Sequence, residues 1–141
     1  MPRLELKTIL TDDDGMLKIV VGAAGAVASA SMEVYSYAAE LEAFASRLED
    51  FPMSIADEVV WECGDADPKW FGHMVLRAHV NDGVGHSAIQ VHMDARGDPP
   101  NRVMSSFFLC CNPADLNELG RRIKAWLPNP SEQLAVEWRD V

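Results

Sequence analysis

The sequence predicts an α+β fold: a largely antiparallel, twisted β-sheet of about six or seven strands, with two amphipathic helices packed on one face. Three observations carry that reading. Short runs of two-residue apolar–polar alternation recur along the chain. Apolar residues fall at helical spacing in just two segments, one after Ser36 and one after Asn112. Between two of the alternating runs lies Asn81-Asp82-Gly83, a hairpin signal, because glycine tolerates the positive φ that a tight turn demands.

Leu4, Leu6 and Leu10 alternate with Glu5 and Lys7 in a first strand, and Leu17, Ile19 and Val21 mark a second. Asp12-Asp13-Asp14-Gly15 turns between them. That triplet lacks the spaced ligands and closing glutamate of a calcium loop. Gly22-Ala23-Ala24-Gly25 lacks the spacing and the Lys-Ser/Thr of a phosphate-binding loop. It leads into a third strand around Val27–Tyr35. Ser36 is the candidate N-cap of a helix whose stripe is Ala38, Leu41, Phe44, Ala45 and Leu48, ended by Phe51-Pro52.

Val59–Cys63 is a fourth strand, Trp70–Val80 a fifth and His86–Asp94 a sixth. The loop Ala95–Arg102 carries Arg96-Gly97-Asp98-Pro99-Pro100, whose prolines donate nothing to a ladder. Val103–Cys111 is apolar on both alternating faces, which predicts a strand covered on both sides. Asn112 then caps a second helix, with Pro113 in its first position and Asp115 in its electropositive first turn. Leu116, Leu119, Ile123, Trp126 and Leu127 form its stripe. After Pro128-Asn129-Pro130, the alternating Leu134, Val136 and Trp138 suit an edge strand.

A chain of 141 residues fits one domain, 1–141, with enough core to need no staples. Twelve Lys+Arg against twenty-two Asp+Glu give a net charge of −10, which argues against nucleic-acid backbones and favours a basic protein partner or plain solubility. Cys63, Cys110 and Cys111 read as free thiols, since adjacent strand residues point to opposite faces. No apolar run is long enough to span a bilayer, so no membrane contact is expected, and the start lacks a signal pattern. A reducing cytoplasm is the expected compartment.

All four histidines lie on the predicted hairpin. His73, Val75, Arg77 and His79 share one face of the fifth strand; His86, Ala88, Gln90, His92 and Asp94 share the matching face of the sixth. A two-residue turn would set His79 against His86 and His73 against His92. A four-residue loop would instead set Arg77 against Gln90 and His73 against Asp94. The candidate binding surface is therefore His73, Arg77, His79, His86, Gln90, His92 and Asp94. A metal site built from His73, His79, His86 and His92, with Asp94 or Glu62 as a further ligand, is the weaker alternative; no cofactor is expected. Nucleophile motifs are missing, and no acid–base pair stands out.

Gly85-His86 with the following Ala-Ile-Gln-Val-His-Met, then Ser-Ser-Phe-Phe-Leu, Asn-Pro-Ala-Asp-Leu and an amphipathic helix, resembles small bacterial proteins of the WapI-like immunity type. The likeness covers about Trp70–Leu127, with Asn112-Pro113 standing where that pattern has Asp-Gln. It implies an α+β domain without enzymatic activity that neutralises a toxin by direct binding. The leading expectation is thus a non-catalytic cytoplasmic binding protein, an immunity-type inhibitor of a basic toxin, with Asp57, Glu58, Glu62, Asp65 and Asp67 as acidic candidates. A small-molecule or metal-binding module on the histidine face is the second reading. A homodimer joined through an edge strand or the aromatic tail is the third.

Overall fold

The structure, a computed structural model, describes residues 1–65, 72–96 and 102–139. Asp67, Trp70 and the 97–100 part of the proline loop lie outside the described residues. The elements run β1 (Arg3–Thr11), β2 (Met16–Ala24), β3 (Ser29–Tyr37), α1 (Ala38–Glu49), β4 (Glu58–Gly64), β5 (Gly72–Val80), β6 (Ser87–Ala95), β7 (Val103–Cys111), α2 (Pro113–Trp126) and β8 (Leu134–Glu137). The class is α+β, as the patterning predicts.

The layering differs from a single sheet. Among the described residues, eight strands form two four-stranded antiparallel sheets, ordered β3-β2-β1-β8 and β4-β5-β6-β7. Alternation explains why two sheets suffice. Leu17, Ile19 and Val21 of β2 are buried on one side of the first sheet, and Met74, Leu76 and Ala78 of β5 on one side of the second. Each sheet thus has one apolar face, and the two faces meet in one continuous core. Both helices feed the same core. Leu41, Phe44 and Leu48 come from α1, and Leu116, Leu119 and Ile123 from α2. Fully burying side chains of this size stabilises by about 1.5–3 kcal/mol each before entropy is counted.

The helices pack tightly on each other at Gly120, where an added Cβ would stand 2.5 Å from the Ala45 carbonyl oxygen. Beside it, Asn117 Nδ2 donates to the carbonyls of Leu48 and Phe51, both at 2.8 Å, and to that of Glu49 at 3.2 Å. Leu48 and Glu49 are the last residues of α1 and Phe51 follows just beyond it, so the neighbouring helix donates to carbonyls where α1 has run out of intrahelical donors. At the start of α2, Asn112 holds the N-cap as predicted, and the Asp115 carboxylate accepts its backbone N–H at 2.9 Å.

Ser36 does not cap α1; that position falls to Tyr37, with no side-chain bond. Ser36 is the penultimate residue of β3, buried, and its hydroxyl accepts the Trp61 indole N–H at 3.2 Å. The aromatic tail docks as expected: β8 pairs with β1, and Trp138 is buried. The Trp138 indole donates to the Cys110 carbonyl at 2.8 Å, tying the margin of one sheet to the margin of the other. Among the described residues, no helix is long and apolar enough to cross a membrane.

Candidate functional site: the open face of the second sheet

Val59, Trp61 and Cys63 of β4 point into the core, so Glu58, Val60 and Glu62 point the other way. The same parity places His73, Val75, Arg77 and His79 of β5, Gln90, His92 and Asp94 of β6, and Met104, Ser106, Phe108 and Cys110 of β7 on that outer face. Both helices send their stripes to the opposite side, into the core. The result is a broad open sheet face that carries every predicted site residue except His86.

The hairpin takes the four-residue loop. Asn81 N–H donates to the His86 carbonyl at 2.6 Å, Arg77 lies opposite Gln90, and His73 lies opposite Asp94. A two-residue Asp82-Gly83 turn is excluded because Asp82 builds the loop instead. Its Oδ1 accepts the backbone N–H groups of Val84 at 2.9 Å and His86 at 3.1 Å, while Gly85 takes φ +93°. His86 Nδ1 sits 2.6 Å from Asp82 Oδ2, so His86 belongs to the loop and not to the strand surface. That contact holds the Asp82 carboxyl below its ordinary pKa.

The remaining candidates are spread along the face. The His73 and His92 rings meet edge to face with centroids 5.3 Å apart, and His73 Nε2 lies 2.6 Å from Glu62. His79 packs its ring against Phe108, with centroids 5.8 Å apart. Arg77 reaches Glu58 at 3.4 Å across the strand pair. Asp94 is only 6% exposed, and its Oδ2 faces Arg96 at 3.2 Å and Arg102 at 3.4 Å. Its Oδ1 has no partner among the described residues. Among those residues no three His, Cys, Asp or Glu side chains gather to hold a metal ion. The four histidines do not converge, because His86 is in the loop and His79 is turned to Phe108.

Of the acidic candidates, Glu58 and Glu62 stand on the outer face at the β4 margin. Asp57 instead closes the loop after α1, where its carboxylate accepts from Arg47 at 2.8 Å and from the Met53 N–H at 2.9 Å. Asp65 is exposed just beyond β4.

Sequence reasoning missed the apolar part of the face. Val60 is 48% exposed, Met104 64% and Phe108 55%. Val103–Cys111 carries apolar residues at both parities, which concealed the side that is covered. Burial sorts the parities in the fold: Leu109 and Cys111 are buried and Cys110 between them is exposed. The prediction of a strand covered on both sides is corrected accordingly: β7 is an edge strand with one open face. Burial pushes the Cys63 and Cys111 thiols up to about 12, which leaves both unreactive, whereas the Cys110 side chain is exposed.

A separate concavity of about 250 Å³ opens beside β3, with Met32, Glu33, Tyr35, Tyr37, Glu40 and Cys63 among its lining. None of the predicted site residues lines it.

No known family model matches the sequence, and no curated protein is similar to it. Among solved structures, the chain is similar to the plant transcriptional regulator PBF-2, with a TM-score of 0.49 and 8% identity over 89% of this chain and 73% of that one.

Proposed function

We propose that this chain is a non-catalytic, cytoplasmic binding protein that holds a basic protein partner against the open face of its second sheet. An immunity-type inhibitor of a basic toxin is the specific form that the acidic balance and the WapI-like resemblance favour. The observation that carries the reading is the uncovered face itself. Along its β4 margin it sets the half-exposed apolar Val60 between the carboxylates of Glu58 and Glu62. Apolar anchors supply affinity in such surfaces, and peripheral charge speeds encounter and selects the partner.

The net charge of −10 supports a basic partner over an acidic one.

The test is affinity capture from the native cell at low salt, read by mass spectrometry, using the wild-type chain and the double variant Glu58→Lys, Glu62→Lys. A basic protein recovered by the wild type and lost both in the variant and at high salt is the expected result. An identical set of recovered proteins from the two baits would overturn the proposal.

A further inference from the structure

The margin of the second sheet at β7 is built differently from its other margin, and the backbone parity can be fixed from two directions. Asn81 N–H bonds the His86 carbonyl, so the even-numbered residues of β6 exchange their bonds with β5 and the odd-numbered ones face β7. By the β6–β7 register, Ser105, Phe107 and Leu109 then bond to β6, while Met104, Ser106, Phe108 and Cys110 turn their N–H and C=O groups off the sheet. The Trp138 indole on the Cys110 carbonyl agrees independently, since only an outward carbonyl can be reached from β8.

Trp138 thus occupies the Cys110 end of the margin, and the stretch Met104–Phe108 stays open among the described residues. That stretch carries no charge and no proline; nor does any residue from Val103 to Cys111. Edge strands that must not pair are normally guarded by such residues. The other long outer strands are guarded: Glu58 and Glu62 stand on β4, and Glu33 stands on β3.

We infer that β7 pairs antiparallel with β7 of a second copy of this chain, joining two four-stranded sheets into one continuous sheet across a two-fold axis. Centring the open stretch places the axis at Ser106. Ser106 then lies opposite Ser106 of the other copy, and Met104 opposite Phe108, with each such pair exchanging both backbone bonds. Met104 and Phe108 are more than half exposed in the single chain, and this register covers each with the other. A second copy is the occupant that an uncharged strip fits. Two chains of charge −10 repel each other elsewhere, and this strand lets them meet with no carboxylate on either side of the contact. A basic partner would find no carboxylate there to recruit it.

Sedimentation equilibrium on the purified full-length chain tests this, with Ser106→Pro and Phe108→Glu as variants. Ser106→Pro removes an outward donor and leaves the β6 ladder intact, and Phe108→Glu alters an exposed side chain. Circular dichroism of both variants checks that they fold. The wild type is expected to dimerise more tightly as salt rises, because screening relieves the repulsion; capture of a basic partner would weaken with salt. Each variant is expected to weaken the dimer by at least roughly tenfold, from the loss of two backbone bonds or the burial of two like charges. A wild type that stays monomeric at high concentration and high salt would overturn the inference. So would a dimer equally tight in both folded variants.

Discussion

β4 and β7 bound the same sheet, and at both margins the residues whose backbone faces outward also send their side chains onto the open face. At β4 these are Glu58, Val60 and Glu62; at β7 they are Met104, Ser106, Phe108 and Cys110. The Glu58 carbonyl, which Arg47 Nη2 approaches at 3.3 Å, shows that outward parity directly. Geometry alone would make the two margins equivalent docking edges. Side-chain chemistry separates them. Two carboxylates at β4 repel another acidic chain and attract a basic one, and the uncharged rungs at β7 do neither. Each margin is also fastened by one tryptophan, but differently. Trp61 is part of β4 and is buried against Phe44, with ring centroids 5.9 Å apart. Trp138 reaches β7 from outside the sheet through one hydrogen bond.

The widest expected contrast between the margins is chemical. At pH 8 a thiol with a pKa of about 12 is ionised to the extent of roughly one part in ten thousand. Cys63 on β4 and Cys111 on β7 should therefore resist a thiol reagent in the native protein while Cys110 reacts. Labelling followed by peptide mapping gives one modified cysteine before denaturation and all three after it. Rapid native modification of Cys63 would break the picture of a sealed β4.

The two tryptophans come next. Trp61→Ala should cost about 3–5 kcal/mol in chemical denaturation, because it empties a core position and removes the indole donor on the Ser36 hydroxyl. Trp138→Phe keeps a ring in the site but loses part of its volume and one donor, so it should cost less, about 1–2 kcal/mol. Equal losses would mean that β7 is locked as firmly as β4. Between these lies Gly64→Ala at the end of β4. Gly64 has φ +77°, and a Cβ there would collide with the Gly72 carbonyl oxygen. A loss on the order of 2–3 kcal/mol is expected, read from the denaturation midpoint.

The smallest effect belongs to the hairpin loop. The bond to His86 depresses the Asp82 pKa in the folded state, so the charged carboxylate contributes stability above its unfolded pKa. That contribution is lost as pH falls through the lower, folded value. Asp82→Asn should be less stable than the wild type near neutral pH, and the difference should close in acid. A difference that persists below the folded pKa would assign the effect to loop geometry instead of charge.

Much of this was legible in the sequence, for reasons that particular residues make plain. Val103–Leu127 gave its strand, cap and helix correctly, because Asn112, Pro113 and Asp115 act locally. The face shared by His73, Arg77, His79, Gln90, His92 and Asp94 followed from two-residue periodicity, which burial enforces. The split into two sheets was not legible. Alternation says that one face of a strand is buried and is silent on which sheet the strand joins. Ser36 was misplaced because a good capping residue also serves as a buried acceptor once Trp61 arrives from β4, far along the chain. The loop register was open because Asp82 fits either a tight turn or a longer loop, and the two backbone bonds it accepts decide the matter. β7 misled most. Its apolar residues at both parities read as a strand covered on both faces, whereas Met104 and Phe108 stand on an open one.

Amide hydrogen exchange measured against protein concentration tests the contrast between the β4 and β7 margins most directly. If β7 pairs with a second copy, the outward amides of Met104, Ser106 and Phe108 slow as concentration rises, while those of Val60 and Glu62 on β4 stay unchanged. Exchange at β7 that is independent of concentration, or protection that develops on β4 instead, would contradict it.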